Sequence, residues 1–357
     1  MKTQSYHDFG QRLHRLARDK GYPLRVMFEL TYRCNFRCGH CYVPEAYRRQ
    51  SNELRTREVF SILEQLRDIG CLYLGFTGGE PFMRRDIMDI LWQAKKSGFE
   101  LIIYTNASLI NERLAGELAA LGPNKVDITI PGMSERSFES ITTVQGAREK
   151  VFSAIEFLHK KGIALGFKSC MLKENESEIK DIQNFACSLG APHRLDEILL
   201  PRLDGSREPY RYRGGTSSQP EILKASVSYQ LLTADCKPST LNLEPRTSNL
   251  FPCGAGQTQA AITPFGELKM CLLLNFPLFP IMKEGAPVAN SGLKNAWEKL
   301  KREVNNIKPD EHYQCDKCPL ELYCKWCPAR SWLYNRTFTS CEPESRLWAK
   351  KRCIKLS

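Results

Sequence analysis

Between residues 24 and 200, short β-rich apolar runs alternate with longer segments whose apolar residues recur every three or four positions. This is the signature of repeated strand–helix units on a parallel sheet. The runs Leu24–Thr31, Leu72–Phe76, Phe99–Tyr104, Lys125–Ile130, Ile163–Met171 and Arg194–Leu200 read as six strands. Helical patterns lie between them, as over Thr56–Ile69 and Asp86–Ser97. In the first helix Val59, Phe60, Ile62, Leu63 and Leu66 share one face and are assigned to the core, with Thr56 placed as the cap. Six such units predict an α/β fold built on an incomplete barrel.

The rhythm breaks at PRLDGSREPYRYRGGTSSQP, which marks a domain boundary near residue 218. A short helix is expected over Glu221–Ala234, inside a connection spanning 219–250. Beyond residue 250 helical spacing becomes sparse and cysteine dense, as where metal rather than an apolar core organises the chain. The division expected is therefore an N-terminal extension over 1–23, a barrel over 24–218, the connection, and a cysteine-rich domain over 251–357.

Composition narrows the chemistry. With 357 residues, 42% of them hydrophobic, the chain can bury a large core. No run approaches the roughly 18 apolar residues of a membrane span, and the charged start lacks the apolar stretch of a signal peptide, so no membrane partner and a cytoplasmic location are expected. Fifteen cysteines in a reducing compartment point to metal or redox chemistry rather than disulfides. The net charge of +11 suits acidic partners, but its arginines and lysines are scattered in short groups, so a solvated basic surface with no nucleic-acid ligand is the simpler reading.

The segment FELTYRCNFRCGHCY places Cys34, Cys38 and Cys41 directly after the first strand, on the loop where barrel active sites lie. Three thiolates at CxxxCxxC spacing hold three corners of a four-iron cluster and leave one iron open. A zinc site completed by His40 is the alternative, although zinc knuckles favour CxxC pairs. The motif resembles the signature of the radical S-adenosylmethionine (SAM) superfamily, in which His40 stands where many members carry an aromatic residue. That resemblance implies a partial (β/α)6 TIM-like barrel, one SAM-binding [4Fe-4S] cluster, and reductive cleavage of SAM to a 5'-deoxyadenosyl radical that abstracts hydrogen from a substrate.

After the second strand, Gly78, Gly79, Glu80 and Pro81 resemble the family's GGEP motif, which contacts the SAM amino group; glycine there permits close backbone approach. By the same resemblance Asn106, ending strand three, and Thr129, ending strand four, line the SAM pocket. On strand five, alternation allows only one of Lys168 and Ser169 to face that pocket.

Further on, Cys253, Gly266, Cys271, Cys315, Cys318, Cys324, Cys327 and Cys341 resemble the SPASM extension of radical SAM enzymes, with GELKMC and CDKCPLELYC matching its segments. The resemblance implies two auxiliary clusters of [4Fe-4S] type. Cys253, Cys271 and Cys327 are assigned to the first, and Cys315, Cys318, Cys324 and Cys341 to the second. Cys324 and Cys327 stand one residue closer than usual. The first set has three ligands, which leaves either an open iron or a further ligand such as Cys353. A pair of zinc ribbons is the alternative. Cys71, Cys170, Cys187 and Cys236 fit no motif and are read as structural. Asp204 is a candidate acid or base, although an Asp-Gly pair is most simply a turn.

Three functions follow as expectations. The first is a peptide or protein modification of the ribosomal peptide maturase type. The second is a related reaction on a small molecule or tetrapyrrole, and the third a zinc-organised nucleic-acid-binding module. The segment ITIPGMSERSFESITTVQGAREKVFSAIEFL resembles peptide-maturase members. Residues 1–23 are too short for a winged-helix leader-binding domain, so a separate leader-recognition protein is expected beside a flavodoxin or ferredoxin reductant.

Overall fold

The structure, a computed structural model, describes residues 6–214, 250–283, 286–287 and 292–356. The expected helix over Glu221–Ala234, most of the connection over 219–250, and Cys236 lie outside the described residues. The chain divides into two compact units that interleave along the sequence.

Unit 1 comprises 1–33, 48–103 and 251–307. Helix α1 (Tyr6–Lys20) leads to β1 (Arg25–Thr31); the short α2 (Glu45–Arg48) enters the unit only at its last residue, ahead of α3 (Thr56–Asp68), β2 (Tyr73–Gly78), α4 (Ile87–Lys96) and the start of β3 (Glu100–Thr105). Strands β1, β2 and β3 are parallel neighbours in that order. Val26 pairs with Leu74 and Phe28 with Phe76, all four buried, and the two phenylalanine rings stack 6.3 Å apart. In α3 the predicted face buries Val59, Ile62, Leu63 and Leu66, with Phe60 half-buried. Thr56 is not the cap: its hydroxyl donates to Asp86 Oδ2 at 2.6 Å, and the helix start is closed by Glu58, which accepts from the Arg55 N–H at 2.7 Å.

The expectation of sparse regular structure beyond residue 250 is overturned. Strand β7 (Gln259–Ile262) pairs in parallel with β1, and β8 (Glu267–Lys269) and β9 (Leu278–Pro280) extend the sheet antiparallel. A small hairpin, β10 (Met282–Lys283) with β11 (Ala286–Pro287), follows. Helix α9 (Gly292–Asn306) then buries Leu293, Ala296, Trp297, Leu300 and Val304, and its Trp297 indole N–H donates to Gly21 O at 2.7 Å. Apolar packing, rather than metal alone, organises this stretch.

Unit 2 comprises 34–47, 104–250 and 308–357. It holds α5 (Glu112–Leu121), β4 (Lys125–Thr129), α6 (Glu135–Thr142), α7 (Ala147–Lys160), β5 (Leu165–Cys170), α8 (Ile179–Ser188) and β6 (His193–Asp196). Its three strands are parallel with β5 central. Strand β6 is shorter than expected because β5, its neighbour, ends at Cys170 opposite Asp196 and leaves 197–200 nothing to pair with. Leu199 instead packs on Ile141 and Leu172. Helices α10 (Pro328–Asn335) and α11 (Pro343–Leu356) belong to the same unit.

Candidate active site

Each unit contributes chemistry that can be built from its own residues. In unit 2 the chain from Cys34 to Cys41 has no helix or strand, so side chains and stray backbone groups hold it. Arg37 N–H donates to Thr142 O at 3.0 Å, and the Thr143 hydroxyl donates to Arg37 O at 3.3 Å, fastening the loop to the end of α6. A Cβ on Gly39 would stand 2.2 Å from the Tyr212 ring, so only glycine lets that ring close over the loop. Cys41 N–H donates to Cys38 O at 3.1 Å in a tight turn. All three cysteines are half-buried.

Donors surround the first sulfur. Cys34 Sγ accepts from Phe36 N–H at 3.4 Å and from Asn106 Nδ2 at 3.8 Å. Asn106 is 9% exposed and also donates to Asn35 Oδ1 at 3.0 Å, while its Oδ1 accepts from the Ser108 N–H and hydroxyl. N–H donors aimed at sulfur stabilise a thiolate and tune a cluster ligated by it. His40 has a buried Nδ1 without a hydrogen-bond partner, and burial pulls its imidazole down to about 4, so it is neutral.

In unit 1 the Gly78–Pro81 motif meets the backbone that leads into the cysteine loop. Gly79 N–H donates to Thr31 O at 2.7 Å and Glu80 N–H to Arg33 O at 2.9 Å. A Cβ on Gly78, whose φ is 133°, would lie 2.1 Å from Thr31 O, and one on Gly79 2.3 Å from Arg33 O. The glycines therefore admit the protein's own backbone, a contact that the sequence reading assigned to ligand alone. Pro81 is buried and starts a short 3-10 turn; Glu80 is fully buried, with Oε1 accepting from Phe82 N–H at 3.1 Å.

Three side chains that brace this crossing were not singled out from sequence. Glu53 accepts from Thr31 Oγ1, Tyr32 N–H and Arg33 Nε at 2.6, 2.9 and 3.3 Å. Arg84 donates to Leu30 O and Leu54 O and forms a two-bond pair with Asp86. Burial alone would raise the Asp86 carboxyl, but hydrogen bonds from Arg84 and Thr56 outweigh it and hold the group below the usual carboxylate range. Beneath them Lys269 Nζ pairs with Glu29 Oε2 at 2.7 Å, both fully buried, and Tyr32 Oη donates to the same carboxylate at 3.0 Å. An arginine two residues before an aspartate at a helix start was the available signal for Arg84.

The remaining candidates are dispersed. Thr129 ends β4, half-buried and opposite Lys168 on β5. Alternation separates Lys168, whose ammonium stands over the Tyr104 ring at 5.4 Å, from Ser169, which is buried and hydrogen-bonded to Ile130 O. Asp204 is exposed, and its carboxylate accepts from the Ser206 N–H in a turn. Cys71 is buried and burial pushes its thiol up to about 12, whereas Cys187 is exposed on α8, so the buried structural reading fails for it. Cys170 is half-buried, its thiol also pushed up to about 12 by burial, with Asp196 and, more weakly, Cys41 adding to the effect.

Among the auxiliary candidates, Cys253 is exposed and Cys271 half-buried in unit 1, while Cys315, Cys318, Cys324, Cys327, Cys341 and Cys353 lie in unit 2. Successive turns bring three of these within electrostatic reach: the Cys341 thiol is raised by burial and Glu342, and further by Cys324 and Cys318. Arg330 on α10 braces the segment through Glu342 Oε1 at 2.7 Å and Ser345 Oγ at 3.0 Å. Among the described residues no three His, Cys, Asp or Glu side chains are already gathered as an ion site. The donor chemistry fits iron–sulfur ligation all the same: sulfur-only sets at short spacing, and N–H donors on Cys34.

Residues 28–186 match the Radical SAM superfamily. This segment is a radical SAM domain. It spans the first cysteine loop and GGEP. Similar curated proteins include an AdoMet-dependent heme synthase of Nitratidesulfovibrio vulgaris, 23% identical over 89% of this chain and 90% of that protein. A PqqA peptide cyclase of Gluconobacter oxydans is 26% identical over 70% of each. The fold is that of SuiB from Streptococcus suis: the structure bound to S-adenosylmethionine has a TM-score of 0.68 at 15% identity, covering 97% of this chain and 84% of that one. SuiB bound to precursor peptide SuiA gives 0.67 over 97% and 82%. Among the described residues no helix is long and apolar enough to cross a membrane.

Proposed function

We propose that this chain is a peptide-modifying radical SAM enzyme. Cys34, Cys38 and Cys41 would hold the SAM-binding cluster, with Gly78, Gly79, Glu80, Pro81, Asn106 and Thr129 around SAM. The cysteine-rich end, 251–357, is read as the SPASM region. There Cys253, Cys271 and Cys327 would serve one auxiliary cluster, with Cys353 as candidate fourth ligand, and Cys315, Cys318, Cys324 and Cys341 the other. When bound, cluster and SAM supply a 5'-deoxyadenosyl radical able to take hydrogen from an unactivated carbon. The protein's own part is to fix the loop through Gly39, Arg37 and Thr142, to aim N–H groups at Cys34, and to lock GGEP on the 31–33 backbone.

The observation that carries the peptide reading is likeness of fold across 97% of the chain to an enzyme solved with its precursor peptide. Tetrapyrrole chemistry is the second reading, supported by similarity over nearly the whole chain to a heme synthase. Anaerobically reconstituted protein, given SAM and dithionite, separates them. Peptides encoded beside its gene should change mass while iron coproporphyrin III does not. A mass loss from the porphyrin with unaltered peptides would overturn the peptide reading in favour of the second.

A further inference from the structure

Unit 1 carries a cleft of about 640 Å³ whose outer charge the site above leaves unused. Six arginines line it, Arg33, Arg48, Arg49, Arg55, Arg84 and Arg85, against two carboxylates, Glu53 and Asp86. The two inner arginines are engaged: Arg84 is spent on Leu30 O, Leu54 O and Asp86, and Arg33 on Glu53. Arg49, Arg55 and Arg85 are exposed, so much of the surplus sits at the surface. Six arginines against two carboxylates leave the cleft with a positive surplus, which suits an acidic partner surface. Arg33 is bonded to Cys34, and Arg84 and Arg85 stand three and four residues after the end of GGEP, so along the chain the cleft adjoins the first candidate cluster ligand.

We propose that this arginine cleft is the docking surface for a small acidic one-electron carrier protein. The inference rests on the radical SAM reading of Cys34, which needs one electron from outside for each SAM cleaved. One electron would leave the carrier and enter the cluster that Cys34, Cys38 and Cys41 would hold. Electrostatic steering governs such an encounter, and a short-lived complex is enough, so salt should weaken it strongly.

The test uses the full-length protein and the triple variant Arg49→Glu/Arg55→Glu/Arg85→Glu, with reduced flavodoxin as carrier and dithionite as small reductant. In the variant, flavodoxin-driven 5'-deoxyadenosine formation should fall about tenfold or more while dithionite-driven formation stays within about twofold. Equal rates from flavodoxin in both proteins would overturn the proposal. Association of oxidised flavodoxin, followed by fluorescence anisotropy without SAM, decides independently of turnover. Binding to the parent protein should weaken steeply between low and physiological salt and be lost in the variant. Binding that ignores both salt and the three substitutions would overturn the docking surface, as would an oligoglutamate peptide held there without competing with flavodoxin. Failure of the parent protein to cleave SAM with dithionite would strike the radical SAM reading instead, and the anisotropy arm still judges the cleft.

Discussion

Gly79 and Gly116 show how much one added methyl group depends on what it meets. A Cβ at Gly79 would stand 2.3 Å from one backbone oxygen and 2.6 Å from another, and backbone cannot rotate aside; at Gly116 inside α5 nothing lies within 4 Å. Gly79→Ala should destabilise by roughly 1–3 kcal/mol and weaken SAM binding, whereas Gly116→Ala should stabilise by about 0.5–1 kcal/mol. Urea midpoints for both, with equilibrium dialysis of SAM for the first, check this. His193 shares the acid-side pH dependence with His40: it is 5% exposed, its Nε2 lies 3.1 Å from Ser169 Oγ, and burial lowers it from 6.5 to about 4. The folded state keeps the ring neutral while the unfolded chain protonates it below 6.5. Its contribution is therefore complete above that pH and lost as pH falls toward 4, on the order of 3 kcal/mol. His193→Asn should flatten the fall in urea midpoint between pH 7 and pH 5; an unchanged fall would remove His193 as a source of it. At this scale the cysteines and the GGEP residues were legible because their spacing is itself the signal. Glu53 and Asn35 were not, because each acts through a partner 20 or more positions away.

Among elements, β1 and β8 are tied by the buried Glu29–Lys269 pair. Lys269→Met should cost about 3–5 kcal/mol by leaving a buried carboxylate unpaired, and Glu29→Gln in the same chain should recover much of it. Chemical denaturation of the single and double variants tests this, and equal losses in both would contradict it. Helix α9 anchors unit 1 through Trp297, so Trp297→Ala should cost about 3–5 kcal/mol. The six strands and the helices between them were legible from 24 to 196 because alternating burial writes its period into the sequence, and strand ends moved by only a few residues. Leu293, Ala296, Trp297, Leu300 and Val304 also carry a helical spacing in full. Strands β7 to β9, three or four residues each, are too short to establish a period, and only pairing with β1 defines them.

At the scale of the whole molecule, two units each draw on distant stretches of sequence, and each carries its own share of the chemistry: GGEP and the arginine cleft in unit 1, the first cysteine loop and the Cys315–Cys341 run in unit 2. Linear order gave the cysteine runs but not this interleaving, since contacts between residues two hundred positions apart leave no local trace. The central claim is that Cys34, Cys38 and Cys41 make a radical generator. Its most direct measurement is 5'-deoxyadenosine formed from SAM and dithionite by the anaerobically reconstituted protein, beside the variant Cys34→Ala/Cys38→Ala/Cys41→Ala. The parent protein should release 5'-deoxyadenosine and the variant none, while the variant still binds iron at its remaining cysteines. Release undiminished in the variant, or a parent protein that takes up iron and sulfide fully yet leaves SAM intact, would contradict the claim.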